Sequence, residues 1–468
     1  MRFELALALF AASIVAAAGC SSGGADDASR EDDVRPVERA ILGAARPYNP
    51  DRSLDGKKDA LDASQKARRE VAWKAMAKIL RDRNVADDGV EVDGKRAKIP
   101  AFRTWYGKDD YERMFAKLYG EHGKQARVAK KAFTNAQIDA VMDWNASDRG
   151  SWGDAQFEER LQQIDSRAAA QGLGGNARVS YSTGAVRHML KNWAPLTKCA
   201  RGELADDPKA EPAKAANFAP CLNDEFPKDA AVIKAAWLRS DFGLKVPVRP
   251  TDAASIRARF EGSVDEGGWG KGDANEASPE ESSIYTVKMS DGSSFRMPAL
   301  HLVTKELREW LWITIWWSPE PDTDFGADRP AEIGRLGGPW KNYKMCVVTG
   351  YEEKDPDPTG GFPKGPGSLG DALAATYQGV GAPSWCSNQY IERGAHNAQT
   401  NCIGCHQHAG TSLRSEAILA DPVAFPELGR TKVRKNFPAD YVFAAMSPPE
   451  SLAQIMQAQV EHYATIDR

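Results

Sequence analysis

Apolar residues between positions 61 and 195 recur at helical spacing. Ala72, Ala75, Met76, Ile79 and Leu80 fall at i, i+3, i+4, i+7 and i+8, so they share one face of a helix. Tyr111, Met114, Phe115, Leu118 and Tyr119 repeat the pattern. Thr134-Asn135-Ala136-Gln137 has the form of a capping box, which opens a third helix carrying Ile138, Val141 and Met142. Phe157, Leu161 and Ile164 predict a fourth. Stripes of this kind pack cores, and they are read here as core.

The pattern changes after residue 195. A helix is expected over Asp229 to Trp237, then a Gly-rich acidic surface loop from Glu261 to Ser282. Ile284 to Met289, an Asp291-Gly292 turn and Phe295 to Val303 read as a β-hairpin. Trp310 to Trp317 is short, apolar and rich in β-prone residues, which predicts a buried strand. Proline and glycine dominate from Asp355 to Gly370, marking a linker or a wrapping loop. Near the end, Leu452, Ile455, Met456 and Tyr463 lie on an amphipathic helix. The expected class is α+β: a helical region (61–195), a mixed Trp-rich domain (196–395) and a small helical C-terminal segment (396–468).

The N-terminus reads differently. Leu5 to Ala18 is apolar apart from Ser13, too short to span a bilayer but long enough for a signal-peptide core. It leads into Ala17-Ala18-Gly19-Cys20, which resembles a bacterial lipobox, with Cys20 as the lipidated residue. Residues 1–19 are thus the expected signal peptide and 20–60 a lipidated flexible tether, since Ser, Gly, Asp, Arg and Pro dominate it without an apolar period. The expected location is the periplasmic side of a bacterial membrane, as an outer-membrane lipoprotein that touches the membrane through its N-terminal lipid only. A net charge of −4 over 468 residues gives no reason to expect nucleic-acid binding.

Seven cysteines are too few for a disulfide-dense scaffold, so each needs its own account. Cys402-Ile403-Gly404-Cys405-His406 is the C-x-x-C-H pattern of c-type haem attachment. Two thiols three residues apart reach the two vinyl groups of one haem, and the adjacent imidazole meets the iron from the proximal side. Random placement of cysteine and histidine gives about 0.002 such matches in a chain of this composition. A thioredoxin-like pair would want a βαβ context, and a four-ligand zinc site would want a second Cys/His pair. Neither is evident in the sequence. The expected cofactor is one covalent haem c, held by Cys402 and Cys405 with His406 on the iron.

The sixth ligand stays open. Met446, in Ala445-Met446-Ser447-Pro448-Pro449, is one candidate and His301, on the hairpin, is the other to test first. His408 stands too close behind His406 to reach the opposite haem face, His396 is a further alternative, and His462 reads as a surface residue. The remaining cysteines, Cys199, Cys221, Cys346 and Cys386, allow three pairings, and sequence proximity favours Cys199–Cys221 and Cys346–Cys386. Glu320, Asp322, Asp324 and Asp328 lack the spacing of an EF-hand and read as a solvated acidic loop.

Several segments in order resemble a group of bacterial monohaem cytochrome c family proteins: Phe226 to Trp237, Leu300 to Val303 with the Trp310–Trp317 strand, and Cys402 to His406. The Met446 loop and the last helix are similar to the ending of class I cytochromes c, in which the last helix packs against the helix carrying C-x-x-C-H. The resemblance implies a single haem c closing a larger mixed body. The expected function is one-electron transfer with a periplasmic redox partner protein. The alternatives are a haem enzyme (peroxidase- or oxidase-like) with an open sixth position, or a ligand-sensing haem protein, because a simple carrier needs only about 100 residues.

Overall fold

A computed structural model of the chain describes residues 45–84, 91–142 (except 93, 94, 97 and 130), 177–200, 221–262 (except 223), 275–288, 294–377 (except 352), 384–392, 400–410, 434, 437–443 and 451–466. The helices used below are α1 (Gln65–Leu80), α2 (Lys108–Ala129), α3 (Asn135–Met142), α4 (Thr183–Lys191), α5 (Trp193–Ala200), α6 (Cys402–His406) and α7 (Leu452–Ile466). The seven-stranded sheet contains β1 (Tyr106–Gly107), β2 (Ala177–Tyr181), β3 (Ala231–Arg239), β4 (Thr286–Lys288), β5 (Ser294–Thr304), β6 (Leu311–Trp317) and β7 (Tyr343–Val348). Its order is β7-β6-β5-β3-β2-β1, with β4 also paired to β5, and every pairing is antiparallel. Helices and antiparallel sheet together make the chain α+β. The region 61–195 supplies β1 and β2 to the same sheet as the Trp-rich strands.

Local sequence accounts for several elements directly. The capping box forms reciprocally: the Gln137 amide donates to Thr134 Oγ1 at 3.2 Å, and the Thr134 amide to Gln137 Oε1 at 2.8 Å. The hairpin forms between β4 and β5, with Val287 opposite Phe295. All seven residues of β6 are buried, as an apolar run interrupted only by Thr314 requires of a strand covered on both faces. β5 slips register against β3 between Arg296 and Ala299, where Pro298 has no amide to donate.

Three expectations change. Residues 231–239 form the strand β3, inside the sheet between β2 and β5, rather than part of a helix over Asp229 to Trp237. Alanine favours helix in isolation, but hydrogen bonding to a strand on each side, β2 and β5, overrides that preference. The tether ends earlier than residue 60, because Ala45, Tyr48 and Leu54 are buried and the Asp51 amide donates to Glu306 at 2.6 Å. Within 261–282, Asn275–Ala277 is a strand paired with Val246–Val248, while 263–274 lie outside the described residues. The Pro/Gly-rich stretch after Asp355 does wrap: Asp355 accepts from the Gln65 amide at the start of α1.

The acidic loop also differs. Asp324 is buried against Lys344 at 2.8 Å and the Thr251 hydroxyl at 2.9 Å. Asp328 takes Arg69 in a two-point grip at 2.7 and 2.6 Å. Glu320 and Asp322, both exposed, fit a solvated loop, with Asp322 paired to Arg329 at 2.7 Å. Basic residues far away in sequence claim these carboxylates, and loop composition gives no sign of it.

α7 carries the predicted apolar face, with Leu452, Ala453 and Met456 buried. It packs on α2 and α5: the Tyr111 hydroxyl donates to Met456 Sδ at 2.9 Å and the Tyr463 hydroxyl to the Ala116 carbonyl at 3.4 Å. The class I arrangement, with the last helix against the C-x-x-C-H helix, is not the packing seen among the described residues. The buried face of α7 is used by the N-terminal helices instead.

Candidate functional site

The strand register sets the floor of the site. Thr314 on β6 faces His301 on β5 on one side and Cys346 on β7 on the other, and His301 faces Lys234 on β3. Directly opposed residues in antiparallel strands project from the same face, so Lys234, His301, Thr314 and Cys346 form one row. Trp312 and Trp316 lie on that face by alternation along β6.

The C-terminal segment is fastened onto this row. Cys346 is disulfide-bonded to Cys386, and Cys199 to Cys221, the two pairings that sequence proximity favours. Asn388 donates from Nδ2 to Thr314 Oγ1 at 2.6 Å and to the Ile315 carbonyl at 3.1 Å. Cys386 pairs with Asn401 in an isolated parallel bridge, which brings the start of α6 to the sheet. In the chain-entropy account, a bridge spanning 40 residues contributes roughly 4 kcal/mol.

Asn401 caps α6. Its side-chain oxygen accepts from the Gly404 amide at 3.1 Å, and its Nδ2 donates to the Ser384 carbonyl at 2.9 Å and the Tyr351 carbonyl at 3.3 Å. Gly404 is needed for space: a Cβ there would lie 2.3 Å from Thr400 Oγ1 and 3.0 Å from a Tyr351 ring carbon. This single turn presents Cys402, buried, and Cys405, half-buried, as the free cysteines among the described residues. Burial pushes both thiols well above their usual range, so they are neutral S–H groups.

His406 is held in one orientation. Its Nδ1 lies 2.8 Å from the Tyr441 carbonyl oxygen. A carbonyl only accepts, so Nδ1 carries the hydrogen and Nε2 of the neutral ring keeps its lone pair. Burial lowers the ring's pKa to about 4, which keeps it neutral at pH 7. Trp312 lies against it at 4.4 Å between ring centroids, and Phe443 meets it edge-on at 5.2 Å.

The carbonyl of Tyr441 is itself fixed. Asp440 and Tyr441 adopt positive φ, 44° and 68°, as does Trp310 at 64°. A non-glycine residue in that region costs about 1–2 kcal/mol, so something must hold it there. Asp440 is completely buried and accepts from Lys305 Nζ at 2.8 Å, Trp310 Nε1 at 3.2 Å and the Phe226 amide at 3.0 Å. Burial raises the Asp440 carboxyl to about 6 even against the pull of Lys305.

On the other side of Cys402, His301 is buried and its Nε2 stands 3.9 Å from Glu392 Oε1. Burial, then Lys234 and His406, depress the His301 pKa well below its usual value. Ligand atoms of His301, Glu392 and Cys402 lie within 4.8 Å of one another. The structure therefore brings His301 to the C-x-x-C-H turn. His408 is buried behind that turn, with its amide bonded to the Cys405 carbonyl at 3.0 Å. His462 is exposed on α7. Met446, His396, Cys20 and the helix expected around Phe157, Leu161 and Ile164 lie outside the described residues. Among the described residues no helix is long and apolar enough to cross a membrane.

The donor set fits a covalently held haem c. Two unbridged thiols flank one helical turn, an imidazole follows with its outer nitrogen already occupied, and aromatic side chains line it. Cys402 and Cys405 would hold the group and His406 would ligate its iron. Sequence reading did not find Tyr441, Asp440, Trp312 or Glu392. Only Asn401 carries a local signal, a capping residue directly before a helical turn. No protein-family model, no curated protein and no solved structure matches the chain.

Proposed function

We propose that this chain is an exported, lipid-anchored monohaem c-type protein that transfers one electron in the periplasm. The supporting observation is a division of labour among cysteines. Four of the six described cysteines are bridged, whereas Cys402 and Cys405 stay free beside an imidazole whose Nδ1 is already bonded. Bound haem would supply the one-electron couple. The residues of this chain do the rest: the thiols tether it, Tyr441 orients His406, and Trp312 with Phe443 keep water from the proximal ring. Cys20 anchors the chain to the membrane, and a redox partner protein is the electron donor or acceptor. His301, on the sheet face beside Cys402, and Met446 are the sixth-ligand candidates.

Spectroscopic redox titration tests the carrier reading. A low-spin iron in both oxidation states, titrating as one electron and not binding CO at rest, supports it. A high-spin resting iron that binds CO or peroxide would transfer the assignment to a haem enzyme with an open sixth position. Loss of the low-spin signature in His301→Ala or in Met446→Ala identifies the ligand.

A further inference from the structure

We propose that His301, Glu392 and Cys402 form a binding site for one thiophilic divalent cation of the Zn2+ class, in the chain whose Cys402 thiol is free. The three ligand atoms lie within 4.8 Å of one another and come from three separate segments: β5, the 384–392 stretch and α6. The set is one imidazole nitrogen, one carboxylate oxygen and one sulfur. Soft and borderline donors of this kind select Zn2+ or Co2+ over Mg2+ and Ca2+, which take oxygen ligands.

The geometry needs little change. Around one tetrahedral Zn2+ such atoms stand about 3.3–3.6 Å apart, and His301 Nε2 and Glu392 Oε1 are already 3.9 Å apart. Supporting bonds aim the carboxylate. Glu392 Oε2 accepts from the Ser387 hydroxyl and from the Asn388 amide at 2.5 Å, and Oε1 lies 3.9 Å from His301 Nε2. Asn388 is anchored on Thr314, directly opposite His301 in the sheet. The Cys346–Cys386 bridge fixes the backbone that the Cys402 sulfur touches, 3.8 Å from the Cys386 carbonyl. Three protein ligands leave a fourth position for water.

Binding converts the Cys402 S–H into a metal thiolate and releases its proton to solvent, with no change of oxidation state. The same sulfur cannot also be a thioether, so ion binding and haem attachment at Cys402 exclude one another. The proposal does not rest on the haem reading, because it concerns the thiol form of the chain. An occupied site would hold the chain unattached until the ion is removed.

The full chain, with both disulfides formed and Cys402 and Cys405 free, is titrated with Co2+ and then Zn2+. One equivalent of Co2+ should give a sulfur-to-cobalt charge-transfer band that one equivalent of Zn2+ abolishes. X-ray absorption of the Zn2+-loaded wild-type chain should show one sulfur ligand. Cys402→Ser should remove the band, Cys405→Ser should keep it, and His301→Gln should weaken Zn2+ by at least about tenfold. No band in the wild-type chain, two sulfurs on the zinc, or a band that depends on Cys405 and not Cys402 would each overturn the proposal. Absence of covalent haem in the matured protein bears on the proposed function alone.

Discussion

The Nδ1 nitrogen of His406 is hydrogen-bonded to the main-chain carbonyl of Tyr441, 35 residues further along the chain, at 2.8 Å. That bond ties the C-x-x-C-H turn to a backbone segment whose left-handed conformation is held in turn by a buried ion pair. The orientation of the His406 ring is thus a property of the body of the protein, through Lys305 at the end of β5, Trp310 before β6 and Phe226 before β3.

The Lys305–Asp440 pair should therefore be costly to break from one side. Both side chains are buried, so Asp440→Asn takes the buried carboxylate away from the Lys305 ammonium, which keeps Glu225 at 3.3 Å and the Arg308 carbonyl. Removing one member of a buried pair typically costs about 3–5 kcal/mol, and the Glu225 contact places the expected loss near about 3 kcal/mol. Denaturant unfolding checks this. Asp440→Asn combined with Lys305→Met should be less destabilised than the sum of the single changes; strict additivity would show that the pair does not act as a unit.

The Cys346–Cys386 bridge should act locally as well as globally. Replacing both cysteines with alanine is expected to lower stability by roughly 3–4 kcal/mol. Because the bridge fastens the C-terminal segment to the sheet, amide exchange at residues 400–410 should accelerate more than exchange in β5 and β6. Equal acceleration in all three would mean that the segment is held chiefly by its other contacts.

Acid should destabilise the protein through His188. This ring on α4 packs on Phe226 at 4.4 Å, near Asp224, Lys191 and Lys305, and burial lowers its pKa to about 4. The unfolded chain takes up the proton near pH 6.5, the folded chain only near 4, so protons favour unfolding between those values. The stability from the neutral ring is full above pH 6.5 and is lost as pH falls toward 4. His188→Gln should flatten the stability curve across that window. An unchanged slope in the variant would assign the acid sensitivity to other groups.

What the sequence revealed, and what it hid, follows from the range of the interactions. The Thr134–Gln137 box, the amphipathic face of α7 and the C-x-x-C-H turn are written within a few residues, and all were legible. The two disulfide pairings were reachable because each spans a short stretch of chain. The alanines of β3 favour helix locally, and only its neighbours in the sheet make it a strand. Asp324 and Asp328 have partners, Lys344 and Arg69, that come from β7 and α1 and leave no trace in the local composition. The support behind His406 was invisible for the same reason: Asp440, Lys305, Trp310 and Phe226 share no motif and meet only through the fold.

The proposed function requires Cys402 and Cys405 to carry one haem with His406 on its iron. Intact mass and the alkaline pyridine spectrum of the full-length protein, matured in a host with haem-attachment machinery, test it most directly. One covalent haem with the signature of two thioether bonds is expected, with a single-thioether signature in Cys402→Ser or Cys405→Ser and none in the double variant. A matured, folded wild-type protein with no covalent haem would contradict it.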